Sequence, residues 1–324
     1  MKYAQLGRSG LKVSRLCLGT MNFGPETSES DSFAIMDAAL EHGINFFDTA
    51  NVYGWKTGEG ITEHILGRWF KQGGGRREKV VLATKVYGEM GKWPNQSRLS
   101  ALHIREACEA SLRRLETDHL DLYQMHHVDR ATPWEEIFLA LEILMKQGKV
   151  IYLGSSNFAG WHIAQASEAA RRQGLLGLIA EQSKYNLLTR AVELEVLPAC
   201  QSYGLGVIPW SPLASGVLAL KGRTGGSTDS RRNRDFTKPL RDKHAEALER
   251  YGAFCAKLGK EPADVAIAWL LTRPAVSATI IGPRTIEQLT TSLGALELEL
   301  DEASLAELDS IFPGHKTAPE DYAW

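Results

Sequence analysis

Our fold prediction begins from the sequence Asn45-Phe46-Phe47-Asp48-Thr49-Ala50-Asn51-Val52-Tyr53-Gly54. An apolar run ends in an acid, a short polar turn follows, and a tyrosine then stands beside a glycine. A short apolar run of this kind is typical of a buried strand that leads into a loop. Two later apolar runs end in the same way, at Lys85 and at His126. The three runs together predict strands that end in side chains suited to proton transfer.

Short apolar runs alternate with segments of helical periodicity along most of the chain. Ser100 is the predicted N-cap of the helix that follows it, because serine accepts hydrogen bonds from free backbone amides. The predicted strands are 15–19, 45–48, 80–85, 120–126, 150–155, 178–182, 206–210 and 276–281. The predicted helices are 31–42, 61–71, 101–115, 133–147, 159–172, 192–203, 240–258, 262–272 and 285–296.

This alternation predicts an α/β fold made of parallel βαβ units. We interpret it as a (β/α)8 TIM barrel that forms a single domain over residues 1–324. A hairpin at 3–6 and 12–14 precedes the barrel as a lid on one end, and an extra C-terminal helix at 301–311 follows it. A doubly wound sheet is the alternative, but no G-x-G-x-x-G follows the first strand. The polar segment 218–240 interrupts this alternation of strands and helices, which is typical of a functional loop.

Composition places the chain among ordinary globular enzymes. Lysine and arginine number 37 against 39 acidic residues, so charge favours neither nucleic acid nor an anionic membrane as a partner. The four cysteines are far apart and form no C-x-x-C pair, which argues against a metal site or a disulfide framework. We find no signal peptide and no apolar run long enough for a bilayer, and therefore expect a cytoplasmic protein without a metal.

Polar or aromatic side chains stand at nearly every predicted strand end. In a barrel these ends meet at one mouth, which is where barrel enzymes carry their chemistry. Lys85 closes an apolar strand, so it needs a counter-charge, and Asp48 can supply one. A purely structural ion pair explains these two residues equally well. The strand ends carry Thr20, Asp48, Lys85, His126, Ser155, Ser156, Asn157, Gln182, Trp210, Ser211 and Arg284.

Tyr53 adds a candidate proton donor to this pair. A free tyrosine has a pKa of about 10, and a neighbouring ammonium favours the phenolate, so Lys85 is expected to lower the pKa of Tyr53. Tyr53 packed against Trp55 in a loop is the structural alternative. His126 and His127 are adjacent on a predicted strand and should point to opposite sides, so only one should face the mouth.

The residues Asp48, Tyr53, Lys85 and His126 resemble the catalytic tetrad of the aldo-keto reductases. The resemblance extends in order along nearly the whole chain. It selects His126 over His127. The matching stretches are Gly43–Ala50, Asp121–His126, Gly154–Phe158, Glu181–Asn186, Pro209–Leu213 and Ile280–Leu289.

The resemblance implies a carbonyl reductase that uses NADPH (NADP⁺), with a small-molecule carbonyl substrate. Tyr53 would donate a proton, Lys85 and Asp48 would tune it, and His126 would orient the carbonyl. Ser156, Asn157 and Gln182 match positions that hold the nicotinamide carboxamide, and Trp210 matches the aromatic that stacks on the ring. The other implied cofactor contacts are Gly19, Thr20, Met21, Asp48, Ser211, Leu213, Ser215, Gly216, Gly282, Arg284, Gln288 and Ser292.

Gly282-Pro283-Arg284 replaces a loop that carries lysine in the best-known branch of the family, and Ser292 stands where asparagine is frequent. Both features resemble the branch of potassium-channel β subunits and bacterial reductases. An arginine at position 284 suits a 2′-phosphate.

Three alternatives to a general reductase remain open. Stretches 74–78, 126–130 and 160–164 resemble actinobacterial members, which include nucleotide-sugar keto- or enoyl-reductases of deoxysugar biosynthesis. Such an enzyme needs a basic mouth, for which the candidates are Arg130, Arg231, Arg232 and Arg234. A regulatory subunit that retains NADPH as a sensor is the second alternative, and a non-redox barrel hydrolase the third. The sequence leaves the oligomeric state open.

Overall fold

The computed structural model describes residues 1–220 and 235–323. Its strands are β1 Tyr3–Gln5, β2 Lys12–Ser14, β3 Leu16–Gly19, β4 Phe46–Asp48, β5 Val81–Val86, β6 Leu120–Met125, β7 Val150–Ser156, β8 Leu178–Gln182, β9 Gly206–Val207 and β10 Thr279–Ile281. Its helices are α1 Glu29–Glu41, α2 Ile61–Lys71, α3 Ala101–Leu115, α4 Trp134–Lys146, α5 Gly160–Arg172, α6 Val196–Tyr203, α7 Lys238–Lys243, α8 Ala245–Leu258, α9 Pro262–Leu271, α10 Ile286–Leu293 and α11 Glu302–Ile311.

Eight parallel strands form one sheet in the order β10-β3-β4-β5-β6-β7-β8-β9. A parallel bridge between Val207 and Val276 joins β9 to the segment before β10. The backbone amide of Ile280 also donates to the carbonyl of Pro209 at 3.0 Å. These contacts connect the two edges of the sheet, and the predicted (β/α)8 barrel is confirmed.

The N-terminal hairpin, β1 with β2, lies at the end of the barrel where the strands begin. Leu6 and Val13 of the hairpin are fully buried and pack with Cys17, Phe46 and other side chains of the barrel interior. Gly7 turns with φ +56°, and a Cβ there would stand 2.4 Å from the carbonyl oxygen of Ile179. Only glycine fits so close to the backbone of β8, and the hairpin closes this end of the barrel as predicted.

Most helix bounds agree with the sequence patterns that predicted them. The Ser100 hydroxyl caps α3 by accepting from the amide of His103 at 3.3 Å, as expected. The predicted helix 240–258 is instead two helices, α7 and α8, which meet at His244. The predicted strand 206–210 has only two strand residues in β9, because Pro209 offers no amide to the ladder.

Helices α2 and α3 pack unusually closely at Gly67. A Cβ at this position would lie 2.2 Å from the backbone oxygen of Arg114, near the end of α3. Backbone cannot move aside as a flexible side chain can, so the contact requires glycine within the helix.

We expect Gly67→Ala to lower the free energy of unfolding by about 2–3 kcal/mol, although alanine normally favours a helix over glycine. Urea unfolding followed by circular dichroism measures this change. Gly252→Ala in α8 is the matched control, because its Cβ would meet only a side-chain atom, Cδ1 of Leu220, at 3.3 Å. The control should change stability by less than about 1 kcal/mol. Equal effects of the two substitutions would contradict the close-packing argument.

Candidate active site

A buried lysine joins two strands and a loop at the barrel mouth. Lys85 on β5 is fully buried, and its Nζ donates to Asp48 Oδ2 at 2.6 Å and to the Thr49 carbonyl at 2.9 Å. The third partner of Nζ is the Tyr53 hydroxyl at 3.1 Å. The ammonium therefore has three oxygen partners, which together offset the cost of burying its charge.

The second oxygen of Asp48 is held by two amides from the opposite strands. Gln182 Nε2 donates to Asp48 Oδ1 at 2.8 Å, and Gln124 Nε2 donates to the same oxygen at 3.1 Å. Gln182 Nε2 also lies 3.3 Å from Gln124 Oε1. Gln124 was not among the predicted site residues. It stands two residues before His126, and this even spacing on a strand was the available signal.

Burial and charge act in opposite directions on Lys85. Burial lowers the pKa of Lys85, but the charges and hydrogen bonds of Asp48 and Tyr53 outweigh it and raise that pKa above its ordinary value. Lys85 is therefore a cation across the whole physiological pH range.

The expected lowering of the Tyr53 pKa is wrong. Burial raises the pKa of Tyr53, and Asp48 raises it further; Lys85 lowers it without reversing the net increase. The sequence argument included the ammonium but omitted the cost of burying a phenolate. Tyr53 consequently keeps its proton at neutral pH, which is the state that a proton donor requires.

Both histidines border the mouth, contrary to the prediction that only one would. Strand β6 ends at Met125, so His126 and His127 lie beyond it and do not alternate. Their rings are nearly parallel, with centroids 5.0 Å apart and an interplanar angle of 6°. Burial lowers the pKa of each ring, and for His126 the Lys85 charge adds to the effect, so both are neutral at pH 7.

One cleft of about 580 Å³ crosses the carboxyl ends of the strands. Tyr53, His126 and His127 line it, whereas Lys85 lies behind Tyr53 and Asp48. The structure brings every predicted cofactor residue to this cleft. They are Gly19, Thr20, Met21, Asp48, Ser156, Asn157, Gln182, Trp210, Ser211, Leu213, Ser215, Gly216, Gly282, Arg284, Gln288 and Ser292.

Asn157 connects three parts of the mouth. Its Oδ1 accepts from Trp210 Nε1 at 3.1 Å, and its Nδ2 donates to the His126 carbonyl at 3.2 Å and to Ser156 Oγ at 3.0 Å. Its backbone has φ +60°, a left-handed conformation that asparagine tolerates better than most residues. The side chain thus fixes the indole of Trp210 relative to the strand that ends at Ser156.

The segment after Trp210 carries a cluster of left-handed backbone conformations. Ser211, Ala214 and Ser215 have φ of 57°, 48° and 58°, and Gly216 has φ 88°. A left-handed conformation costs a non-glycine residue roughly 1–2 kcal/mol, and such strain concentrates at binding sites. Most of the segment lines the cleft, so it suits contact with an extended ligand.

Arg284 also lines the cleft. Its Nη1 lies 3.4 Å from Glu26 Oε2, and its backbone amide donates to Gln288 Oε1 at 2.8 Å. Ser292 Oγ donates to the Gln288 carbonyl at 2.9 Å. Glu26 was not predicted from the sequence, because it is distant from Arg284 along the chain and belongs to no motif.

Arg231, Arg232 and Arg234 lie outside the described residues, as does most of the predicted segment 218–240. Arg130 is exposed and does not line the cleft. Within residues 1–220 and 235–323, no group of three or more His, Cys, Asp or Glu side chains could hold a metal ion. Among the helices of the same ranges, none combines the length and hydropathy of a membrane span.

Fold and site together define a barrel oxidoreductase with a lysine-bound tyrosine at its mouth. The model of the Aldo/keto reductase family matches residues 15–312. The chain is 53% identical to "Uncharacterized oxidoreductase YrpG" of Bacillus subtilis, with all of both chains covered. It is 35% identical to a "Probable voltage-gated potassium channel subunit beta" of Arabidopsis thaliana, covering 99% of this chain and 100% of the relative.

A third relative, the "Versiconal hemiacetal acetate reductase" of Aspergillus parasiticus, is 32% identical over 98% of this chain and 100% of its own length. The chain therefore belongs to the aldo/keto reductase family. It is an NAD(P)H-dependent oxidoreductase of small carbonyl compounds.

We expect Asp48→Asn to lower the free energy of unfolding by about 3–5 kcal/mol, because it leaves the buried Lys85 ammonium without its counter-charge. Adding Lys85→Met should restore part of this loss. Urea unfolding of both variants measures the difference. Glu29→Gln is the matched control, since it removes an exposed ion pair with Arg68 and should cost less than about 1 kcal/mol. If Asp48→Asn costs no more than the control, Asp48 does not compensate the charge.

Proposed function

We propose that this protein reduces aldehydes and ketones to alcohols with NADPH, and that Tyr53 is the proton donor. The observation that carries the proposal is the Tyr53 hydroxyl, held 3.1 Å from a buried ammonium at the cleft surface. A structural ion pair between Lys85 and Asp48 needs no tyrosine on the ammonium. The family membership supports the same activity.

Tyr53, Lys85 and Asp48 have different roles in the proposed proton transfer. Tyr53 holds its proton until a carbonyl oxygen gains negative charge, and then donates it. Lys85 stabilises the phenolate that remains, because an ammonium 3.1 Å away attracts the new charge in a buried site, where water screens it little. Asp48 keeps Lys85 charged and in place through the 2.6 Å ion pair.

His126 completes the proposed mechanism as a neutral hydrogen-bonding group. Its ring packs edge-on against Tyr53, with centroids 5.9 Å apart. A neutral imidazole can donate one hydrogen bond to the carbonyl oxygen without competing as an acid. His126 thereby orients the carbonyl toward the Tyr53 hydroxyl.

We assign the rest of the cleft to the cofactor, which supplies the hydride when bound. Ser156, Asn157 and Gln182 offer hydroxyl and amide groups for the carboxamide, and Trp210 offers a flat ring beside them. The strained segment at positions 211–216 suits the diphosphate. Arg284 suits a 2′-phosphate, because a guanidinium binds phosphate oxygens in pairs.

A regulatory subunit is the second candidate, and the similarity to probable potassium-channel β subunits favours it. The intact contact between Tyr53 and Lys85 counts against a pure sensor, which needs no proton donor.

We also propose one domain over residues 1–324 and a cytoplasmic location. The four buried, unpaired cysteines support that location, since reducing compartments keep thiols free.

Tyr53→Phe should fold and bind NADPH but lose about 10²–10⁴-fold in kcat, because general acid catalysis contributes that much. NADPH oxidation with small aromatic aldehydes and dicarbonyls measures turnover, and fluorescence titration measures binding. Tyr203→Phe on α6 makes the same chemical change outside the cleft and should leave both unchanged. Normal turnover by Tyr53→Phe would remove the proton-donor assignment.

Arg284→Ala should weaken NADPH binding by about 10- to 100-fold, the value of one or two hydrogen bonds to a charged group. NADH has no 2′-phosphate, so its affinity should change much less. Titration of both cofactors against both proteins gives the comparison. Arg68→Ala is the control, because Arg68 pairs with Glu29 on the surface. Equal losses for the two cofactors would refute the 2′-phosphate assignment.

A further inference from the structure

Glu181 is a fully buried carboxylate that the proposed mechanism does not use. It precedes Gln182 on β8, and neighbouring residues of a strand face opposite sides. Gln182 points into the barrel, where its amide meets Asp48. Glu181 therefore points outward, toward the helices, and does not reach the cleft.

Three hydrogen bonds converge on the Glu181 carboxylate. Ser155 Oγ donates to Oε2 at 2.5 Å, and Ser183 Oγ donates to Oε1 at 2.7 Å. The backbone amide of Phe158 donates to Oε1 at 3.1 Å. Ser155 and Phe158 bracket two cleft residues, Ser156 and Asn157, so the carboxylate holds this turn at both of its ends.

The turn from Ser155 to Phe158 has a shape that needs such support. Asn157 is held at φ +60°, and its side chain sets the position of the Trp210 indole. The Ser156 hydroxyl donates to the Gln182 carbonyl at 2.9 Å. A displaced turn would move Ser156, Asn157 and Trp210 together, because hydrogen bonds connect all three.

We propose that Glu181 is a positioning residue that fixes the turn from Ser155 to Phe158 in the geometry that binds the nicotinamide end of the cofactor. The proposal rests on the proposed function, since it takes Ser156 and Asn157 as cofactor contacts. Glu181 acts through the turn and touches neither the cofactor nor the carbonyl. The ionised carboxylate is the active form, because both of its oxygens then act only as acceptors toward the three donors.

The surroundings of Glu181 place its titration near neutrality. Burial raises the pKa of Glu181 to about 7, although hydrogen bonds from Ser155, Ser183 and the backbone lower it in part. On α6, Cys200 stays a neutral thiol, because burial and Glu181 raise its pKa well above the ordinary value. On α5, His162 packs against Phe158, and burial lowers the pKa of its ring.

The direction of the pH effect follows from these charges. Below pH 7 Glu181 gains a proton, which turns one accepting oxygen into a donor, so a hydrogen bond to the turn must break or reverse; the turn then loosens and cofactor binding weakens. Above pH 7 the ionised form holds the turn. Glu181→Gln imitates the protonated form at every pH, because the amide has a single acceptor oxygen in place of two.

The test measures the Kd of NADP⁺ by tryptophan fluorescence from pH 5.5 to 8.5, for the wild-type chain and Glu181→Gln. The variant should bind about tenfold more weakly at pH 8.5, and the ratio of the two Kd values should approach one at pH 5.5. The ratio cancels titration of the cofactor phosphates, which is the same for both proteins. With NADPH and saturating carbonyl, KM for the cofactor should rise while kcat changes less than threefold.

Glu63→Gln is the matched control. Glu63 is also fully buried, but it bonds Thr84 and Arg114 away from the cleft, so its Kd ratio to wild type should stay near one at every pH. A second variant, Ser183→Ala, keeps the carboxylate and removes one hydrogen bond that lowers its pKa. The midpoint of the pH profile should then move upward.

Each outcome bears on a different statement. A wild-type chain that binds neither NADP⁺ nor NADPH overturns the proposed function. If the wild-type chain binds NADP⁺ and the Kd of Glu181→Gln equals the wild-type Kd across the pH range, only the positioning role is overturned. If Glu181→Gln does not fold, Ser183→Ala decides alone, and an unmoved midpoint overturns the role.

Discussion

The buried ion pair between Lys85 and Asp48 is the constraint on which the rest of the mouth depends. An ammonium with no exposed surface is tolerated only when oxygen atoms surround it, and here those atoms belong to Asp48, Thr49 and Tyr53, at the end of β4 and in the loop that follows it. Asp48 in turn needs donors for its other oxygen, and Gln124 and Gln182 provide them from β6 and β8. One buried charge thus fixes side chains from β4, β5, β6 and β8 in a single network.

The barrel is the fold that brings these side chains together. Parallel strands put their carboxyl ends on one side, and the in-register pair of Lys85 with Gln124 places two polar residues at similar depth. The hairpin fills the opposite end with Leu6 and Val13, so the interior is apolar at the end where the strands begin and polar at the mouth. A charged network at the open end and a sealed core at the other are therefore parts of the same sheet.

The sequence predicted the barrel and the polar strand ends from local periodicity, whereas the remaining cofactor residues at the mouth were predicted from the family resemblance. It did not predict Gln124, Glu26 or the role proposed for Glu181, because their partners are distant in the chain and only the closed sheet brings them near. His127 was misplaced since β6 ends one residue earlier than its pattern predicted. The pKa of Tyr53 was misjudged because sequence shows neighbouring charges but not the degree of burial.

Glu181 and Gln182 show how one strand can serve two layers of the molecule. Gln182 points inward and belongs to the network that keeps Lys85 charged, while Glu181 points outward and holds the turn of the next strand. A register shift between β7 and β8 near Gly154 lies just before these residues. A slip of one residue at β8 would exchange their sides and place a second carboxylate beside Asp48. Because like charges in a buried site repel, that register would weaken the ion pair. The polar network therefore selects the register of β8, and that register in turn places the carboxylate behind the cleft.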